Sequence, residues 1–369
     1  MRSVGFWLGL FAALFLVGVL PAAAQLSAAP PDPLARIREA AGSGAPACSA
    51  TGESLCEQVA PKIIENALGE SPLADNLRRL ANETGGHASG APTAARAVAW
   101  GVAAFRDAGV DVHIEKYAGH TGGPPEQENV IAEIRGREKP DEWVLLGAHL
   151  DARVPGAGEI SDSCNSAMVI EAARDIQRTG IHPRRSIRFV LFAGDQRGMS
   201  GSWAYVLAHR AELDSARAVI VFGAGCGPVA GYLLNGRHDI EPGVRDAMKS
   251  IEPLGADHFG FGAPLGSDNF DFLIEGLPTL VANREEVKRL PDAQSASKTP
   301  GNVDIKELKR DSAIAAVTAF GIAERDAPIG PRQSRSEIES LLRASGLEQQ
   351  MKTSGLWPLW ESGARGRLP

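Results

Sequence analysis

The 369-residue sequence contains only four cysteines, shows no internal repeat and has no stretch rich in basic residues. Its formal net charge is -7. Since nucleic-acid binding requires a basic face, we predict no nucleic-acid partner. Beyond Leu20 no apolar run is long enough to cross a bilayer, so no transmembrane span is expected in the mature chain.

Two common catalytic motifs are also absent. The glycine-rich stretch Gly223–Gly227 is not followed by Lys and Ser or Thr, so it is not a phosphate-binding loop. The stretch Gly198–Ser202 contains serines but lacks the strand–serine–helix elbow of a serine hydrolase. We therefore predict neither nucleotide chemistry of the P-loop type nor a serine nucleophile.

The first residues have the features of an export signal. Arg2 precedes the apolar run Val4–Leu20, and Pro21–Gln25 places small residues at the positions that a signal peptidase reads. We predict a signal peptide over residues 1–24 and an exported protein, either periplasmic or secreted. The alternative is a membrane anchor, for which the apolar run is marginal in length. Residues 25–55 are predicted to be a weakly ordered lead-in.

From residue 56 onward, predicted strands alternate with helices. The predicted strands are Val110–Tyr117, Asn129–Arg135, Glu142–Ala148, Ser186–Ala193, Ala216–Phe222 and Pro278–Ala282. The predicted helices are Cys56–Asn82, Thr93–Asp107, Asn165–Thr179, Ser202–Ala211, Pro242–Ile251 and Asp304–Glu324. This alternation predicts an α/β fold over residues 56–326, a three-layer sandwich with a mostly parallel central sheet. Residues 327–369 form a linker, a C-terminal helix (Ser336–Met351) and a tail; that helix either folds back on the domain or binds a partner.

Candidate functional residues follow the predicted strands, where the active loops of an open α/β sheet lie. The third strand leads into His149 and Asp151, a pattern typical of a metal ligand with an orienting carboxylate. The next loop carries Asp162 and opens a helix. The fourth strand leads into Asp195 and Gln196. A single His-x-Asp pair is weak evidence, but this ordered series of polar residues indicates a metal site.

These segments resemble the M28 peptidases. The core of that family reads approximately N-V-I-A-E-I-x-G, G-A-H-x-D-S, D-D-x-x-S-G and F-x-x-F-x-x-E-E-x-G-x-x-G-S. The matching stretches are Asn129–Gly136, Gly147–Asp151, Asp162–Ala167 and Phe189–Ser202, and the likeness continues more loosely to Glu324. The resemblance implies the fold of the M28 zinc exopeptidases, a superfamily of aminopeptidases and glutaminyl-cyclase-like enzymes with zinc in the active site.

The resemblance assigns family roles to four residues. His149 stands at the first zinc-binding His and Asp162 at the bridging Asp, so both are retained metal-ligand positions. Asp151 stands at the carboxylate that orients the His. Asp195 stands at the position of the general-base Glu, and its side chain is one methylene shorter. Because a misplacement of about 1 Å can cost roughly 10²-fold in rate, Asp195 is a weak candidate base.

The remaining ligand positions of the family hold residues that do not suit zinc. Gln196 offers a neutral amide, Gly223 offers no side chain, and Lys298 places an ammonium group where the last His is expected. Zinc sites use anionic or imidazole ligands, and a catalytic zinc normally takes three from the protein. The resemblance therefore implies either no zinc or one zinc, and not the two-zinc site of the family.

The cysteines leave alternatives open. Cys48 and Cys56 could close one small loop, whereas Cys164 and Cys226 fall on loops that face the expected metal pocket. The second pair could form a disulfide, could replace metal ligands beside His149, or could remain unpaired. Since exported proteins usually oxidise neighbouring thiols, the disulfide is favoured.

Three functions are compatible with these residues. The first is an exported pseudo-peptidase that binds a peptide or a protein partner without cutting it. The second is an active metallo-aminopeptidase with a modified one-zinc site. The third is a glutaminyl-cyclase-like transferase, which also requires the missing Glu and second His. The residues Gln196, Gly223 and Lys298 favour the first hypothesis.

Overall fold

The computed structural model describes residues 55–83, 93–118, 126–151, 157–194, 198–223, 225–284 and 303–368. At 55–57, 82–83 and 157–162 only the backbone is described. The predicted signal peptide and, apart from Leu55, the predicted lead-in lie outside these residues, as do Cys48 and the Cys56 side chain. Within the described residues, no helix combines the length and apolar character needed to cross a bilayer.

The described residues contain one sheet of eight strands. The strands are β1 (Asp111–Tyr117), β2 (Gln127–Ile134), β3 (Lys139–His149), β4 (Arg185–Phe192), β5 (Ala216–Phe222), β6 (Val229–Leu233), β7 (His258–Gly260) and β8 (Thr279–Arg284). Their order across the sheet is β1-β2-β4-β3-β5-β8-β6-β7. The central strands β4, β3, β5 and β8 run parallel, whereas β1–β2, β2–β4 and β6–β8 pair antiparallel. The predicted α/β fold is confirmed, with a parallel centre and antiparallel pairs toward both edges.

Eleven α-helices surround this sheet in the described part of the chain. They are α1 (Leu55–Leu68), α2 (Leu73–Glu83), α3 (Ala94–Asp107), α4 (Ala157–Gln177), α5 (Ser200–Ala208), α6 (Glu241–Ala247), α7 (Asn269–Leu273), α8 (Ile305–Glu324), α9 (Arg335–Ala344), α10 (Leu347–Ser354) and α11 (Trp357–Glu361).

The helices cover both faces of the sheet, and β3 shows why. Successive side chains of a strand point to opposite faces. Val144 and Leu146 join the core formed with α1–α4 and α8, while Trp143 and Leu145 join the core that includes Tyr205 of α5. All four strand residues are fully buried. A strand covered on both faces explains the nearly continuous apolar run in this part of the sequence.

Helix α4 begins earlier than predicted. The sequence suggests a loop up to Asn165, but the helix starts at Ala157, so Asp162 and Cys164 lie within it. The sequence before Asn165 is rich in Gly, Ser and Asp residues, which favour turns. The same residue types suit the first turns of a helix, where side-chain oxygens and negative charge face the unpaired backbone N–H groups.

Two short strands, β6 and β7, and two helix breaks were not predicted. The helical region predicted over Cys56–Asn82 is two helices, α1 and α2. Strand β6 contains Gly231 (φ 150°), where a Cβ atom would overlap the backbone of His258 on β7. Such a short strand with a central glycine gives no clear alternating pattern. The single helix predicted over Ser336–Met351 is two helices, α9 and α10. They are separated at Gly346, whose left-handed backbone (φ 75°) ends the first helix.

The C-terminal helices fold back on the domain. They share an apolar cluster with α7 and with Met199, which precedes α5. The cluster consists of Met199, Phe270, Leu273, Ile274, Ile338, Leu341, Leu342, Leu347, Met351 and Trp360. Of the two alternatives for this segment, the structure therefore has the folded-back one.

Candidate functional site

The parallel strands β3, β4, β5 and β8 end at the same edge of the sheet, here called the carboxyl edge. His149 ends β3, Gly223 follows β5 and Arg284 ends β8. Functional loops of α/β folds gather at such an edge. The residues Asp195, Gln196 and Lys298, and the side chain of Asp162, lie outside the described part, so their predicted roles stay predictions.

His149 is buried, and both of its ring nitrogens lie close to backbone carbonyl oxygens. Nδ1 is 2.9 Å from the oxygen of Asp151, and Nε2 is 2.7 Å from the oxygen of Gly223. A carbonyl oxygen only accepts hydrogen bonds, and a neutral imidazole carries one N–H group, so the tautomer decides which of the two oxygens accepts a hydrogen bond from the ring. A zinc ligand points its unprotonated nitrogen at the metal, whereas here each ring nitrogen faces a carbonyl oxygen. The orienting role of the Asp151 carboxylate stays a prediction, because the observed contact involves its main chain.

The sequence aligns Gly223 with a carboxylate of the family, and the side chain of Ser267 lies beside it. A Cβ atom at this position would lie 2.7 Å from Oγ of Ser267. A side chain could be accommodated here only if Ser267 moved. Ser267 therefore occupies the space that a side chain at position 223 would enter.

Cys164 and Cys226 form a disulfide, with a Cα–Cα distance of 6.0 Å. The bond joins α4 to the loop between β5 and β6. Of the three alternatives for this pair, the structure has the disulfide, and oxidised sulfurs are not thiolate ligands. Within the described residues, no three His, Cys, Asp or Glu side chains lie close enough together to hold a metal ion.

The two residues after Cys164 also bind the carboxyl edge. Ser166 Oγ donates a hydrogen bond to the oxygen of His149 (2.8 Å), and Nη2 of Arg284 donates to Oδ1 of Asn165 (2.6 Å). Arg284 also donates to the oxygen of Gly227 and, through Nη1, to Oδ2 of Asp311 (2.8 Å).

Arg284 was not predicted as a site residue, because the predicted strand ended at Ala282. The strand continues to Arg284, which therefore stands at the carboxyl end of β8. If the predicted strand had been extended by two residues, Arg284 would have been a candidate, since functional residues lie at the carboxyl ends of such strands. Only 8% of its side chain is exposed, and it lies 5.8 Å from the ring centre of Phe222.

Charge at this edge is mixed. Burial raises the pKa of the Asp311 carboxyl group, while Arg284, the backbone N–H of Val229 and Arg310 oppose that rise. Burial also raises the pKa of Tyr117, and the nearby carboxylates of Asp151 and Asp268 add to the rise. Buried carboxyl groups and the buried guanidinium group of Arg284 therefore lie close together at this edge.

These features test whether zinc fits the described residues. The imidazole of His149 faces two carbonyl oxygens, the cysteine sulfurs are bonded to each other, and Gly223 provides no ligand. Arg284 adds a fixed positive charge to the same edge of the sheet. Zinc requires anionic or imidazole ligands, so the described residues do not fit a zinc centre.

Arg365, in the C-terminal tail, is another buried arginine. Arg365 donates through Nε to Oδ1 of Asp271 (2.6 Å) and through Nη2 to Oδ2 (2.9 Å) and to the oxygen of Gly198 (3.1 Å). Its guanidinium carbon lies 4.6 Å from the ring centre of Trp203. Gly198 follows residues 195–197, so the C-terminal tail contacts one end of the segment that carries the candidate base.

Comparison with known proteins identifies related sequences and folds. Residues 129–303 match the profile of Peptidase family M28. Carboxypeptidase Q from Mus musculus is 26% identical over 215 residues, which cover 58% of this chain and 45% of that protein. Leupeptin-inactivating enzyme 1 from Streptomyces exfoliatus is 29% identical over 126 residues, 33% of this chain and 27% of that protein. The chain thus spans less than half the length of these curated relatives.

Solved structures share the fold. A peptidase M28 precursor from Shewanella amazonensis gives a TM-score of 0.66 at 19% identity, covering 76% of this chain and 99% of that one. An aminopeptidase from Aneurinibacillus sp. strain AM-1 gives a TM-score of 0.59 at 13% identity, covering 76% and 98%. Likeness at this level of identity describes the fold alone.

Proposed function

This chain belongs to peptidase family M28, and from that premise we propose that it is an exported protein that binds peptides in the family's cleft without zinc-dependent cleavage. One observation carries the proposal: Nε2 of His149 lies 2.7 Å from the oxygen of Gly223. Nε2 of this histidine thus faces a main-chain oxygen of Gly223, the residue that the sequence aligns with a second ligand of the family.

Three further features support the loss of metal chemistry. The disulfide uses the two sulfurs that could have replaced lost ligands. Ser267 fills the place of a carboxylate at position 223. The sequence places Gln196 and Lys298 at two more ligand positions. In each case an anionic or imidazole ligand that zinc would need is missing.

The proposed ligand class follows from the relatives. They are named carboxypeptidase, aminopeptidase and leupeptin-inactivating enzyme, so peptides or peptide-like molecules are the compounds that this cleft is expected to accept. The disulfide is typical of oxidising compartments and supports export, as does the signal peptide predicted over residues 1–24.

Metal content and hydrolysis test the first half of the proposal. We expect the mature protein, purified without reducing agent, to contain less than about 0.1 equivalent of zinc by elemental analysis and not to hydrolyse leucine p-nitroanilide. The variant His149→Ala should match the wild type in both measurements, as should the control His258→Ala, which changes an exposed histidine. One or more equivalents of zinc, lost in His149→Ala but kept in His258→Ala, would overturn the proposal.

Peptide binding tests the second half. A fluorescent pentapeptide with a free amino terminus and one with a free carboxyl terminus serve as probes in anisotropy titrations. We expect saturable binding of at least one probe, with the same affinity in 1 mM EDTA as in buffer alone. If neither probe binds, or if EDTA abolishes binding, the proposed metal-independent peptide site is wrong.

A further inference from the structure

We propose that three consecutive residues in the N-terminal half of α4 clamp this helix to the carboxyl edge without metal, and that the ligand-binding shape of the cleft depends on the disulfide in this clamp. The edge clamp consists of Cys164, Asn165 and Ser166 with their partners Cys226, Arg284 and His149. The inference rests on the proposed function only for its statement about ligand binding.

The covalent part of the clamp spans a long section of the chain. Cys164 and Cys226 are 62 residues apart, and the segment between them contains β4, α5 and β5. A bond that closes such a loop restricts the unfolded chain strongly. It also fixes the distance between α4 and the loop after β5, whose first residue, Gly223, faces His149.

The ionic part runs beside the covalent part. Arg284 binds Asn165, the residue after Cys164, and also Gly227, the residue after Cys226. The guanidinium group therefore joins the same two segments as the disulfide. A planar guanidinium can donate to several acceptors at once, which a lysine ammonium cannot do in the same fixed geometry. Asp311 of α8 balances its charge.

The third part reaches the histidine. Ser166 Oγ donates to the main-chain oxygen of His149, which ends β3. One helical turn thus contacts the ends of β3 and β8 and the loop after β5. In a metal site such contacts would pass through bound ions; here they are one covalent bond, one guanidinium and one hydroxyl. The arrangement accounts for an ordered carboxyl edge that does not need a metal.

Reduction of the disulfide tests the clamp. Tris(2-carboxyethyl)phosphine gives two electrons to the S–S bond, water supplies two protons and an oxygen, and the products are two thiols and the phosphine oxide. We expect reduction to lower the melting temperature of the mature protein by roughly 5–10 °C. It should also weaken binding of the pentapeptide probe at least tenfold.

Matched double variants locate the effect. In Cys48→Ser/Cys56→Ser, reduction should have the same effect as in the wild type. In Cys164→Ser/Cys226→Ser, the melting temperature should already be lowered and should not respond to reduction. If this variant does not fold, peptide mapping of the wild type under non-reducing conditions, with and without the phosphine, gives the pairing directly.

Two results would overturn the inference: a peptide map in which Cys164 is free or joined to Cys48 or Cys56, or a wild-type melting temperature that reduction does not change. The proposed function fails differently, through bound zinc or absent probe binding. If no probe binds but reduction lowers the melting temperature in the expected variants, the clamp stands and the peptide-binding proposal falls.

Discussion

The edge clamp and the C-terminal tail each place a buried arginine against a buried aspartate. They differ in the number of other interactions that stabilise each aspartate. In the clamp, Arg284 pairs with Asp311; in the tail, Arg365 pairs with Asp271. All four side chains are at most 8% exposed. Breaking a buried pair leaves an uncompensated charge, so the remaining partners of each aspartate decide how much stability is lost.

The two aspartates have different remaining partners. Asp311 also accepts hydrogen bonds from Nη1 of Arg310 (3.1 Å) and from the backbone N–H of Val229 (3.0 Å), and the disulfide joins the same two segments that Arg284 joins. For Asp271, the described residues provide one other donor, the hydroxyl of Ser202 (2.8 Å). The clamp is therefore redundant, whereas the tail depends on a single cation.

The largest effect is expected for Arg365→Ala. The substitution leaves the Asp271 carboxylate buried without a cation and opens space between Trp203 and Phe270. We expect the free energy of unfolding to fall by about 4 kcal/mol, measured by urea unfolding at pH 7. Arg365→Lys should recover part of the loss, because it keeps the charge without the two-pronged hydrogen bond.

Arg343→Ala serves as the control for this comparison. Arg343 lies on the same C-terminal segment, but 64% of its side chain is exposed and its ion pair with Glu348 is at the surface. Surface ion pairs contribute little, so its removal should change stability only slightly. Equal losses in the two variants would show that the tail does not depend on the buried pair.

A smaller effect is expected for Arg284→Ala. Asp311 keeps Arg310 and the Val229 N–H, so the loss in the oxidised protein should be about 2 kcal/mol. After reduction the same substitution should cost more, since the disulfide no longer holds the two segments together. Urea unfolding of wild type and variant, each oxidised and reduced, measures this coupling. Additive effects would show that the disulfide and Arg284 act independently.

The comparison also separates what the sequence could predict from what it could not. The central strands follow from apolar runs such as Ser186–Ala193, because strands buried on both faces have few polar residues. The M28 motifs also predicted the fold, because each motif is a contiguous segment of the sequence. The partners of Arg284 lie 119 and 27 residues away, at Asn165 and Asp311, and no local pattern announces such pairs.

The site shows the same limit. The sequence placed His149 and Gly223 at family positions, but it could not show that the histidine ring would hydrogen-bond to the glycine backbone. It favoured a Cys164–Cys226 disulfide but left two other states open, and it predicted a loop where the structure has helix α4. Both features depend on how α4 packs against the sheet, and local patterns in the sequence do not report tertiary packing.

Helix α4 also carries two buried acids, Glu171 and Asp175, that share the nearby cation Arg174. Glu171 accepts hydrogen bonds from Ser71 (2.6 Å) and Arg174 (2.7 Å). Asp175 accepts one from Ser312 (2.9 Å), and its other oxygen has no hydrogen-bond partner among the described residues. Burial, together with the charge of Glu171, holds the pKa of Asp175 well above its usual range.

The smallest expected change, and one of opposite sign, therefore belongs to Asp175→Asn. A raised pKa in the folded state means that the folded protein holds the proton more tightly than the unfolded chain, so wild-type stability falls as pH rises from about 4 toward the raised pKa. The amide keeps an acceptor for Ser312 and removes the like charge beside Glu171. We expect the variant to be more stable than the wild type by on the order of 1 kcal/mol at pH 7, and the difference to vanish near pH 4.

Urea unfolding between pH 4 and pH 7 measures this difference in stability. Glu171→Gln is the control and should destabilise the protein, because Glu171 is paired with Arg174. A less stable Asp175→Asn at pH 7 would mean that Arg174, 3.8 Å away, already balances the Asp175 charge.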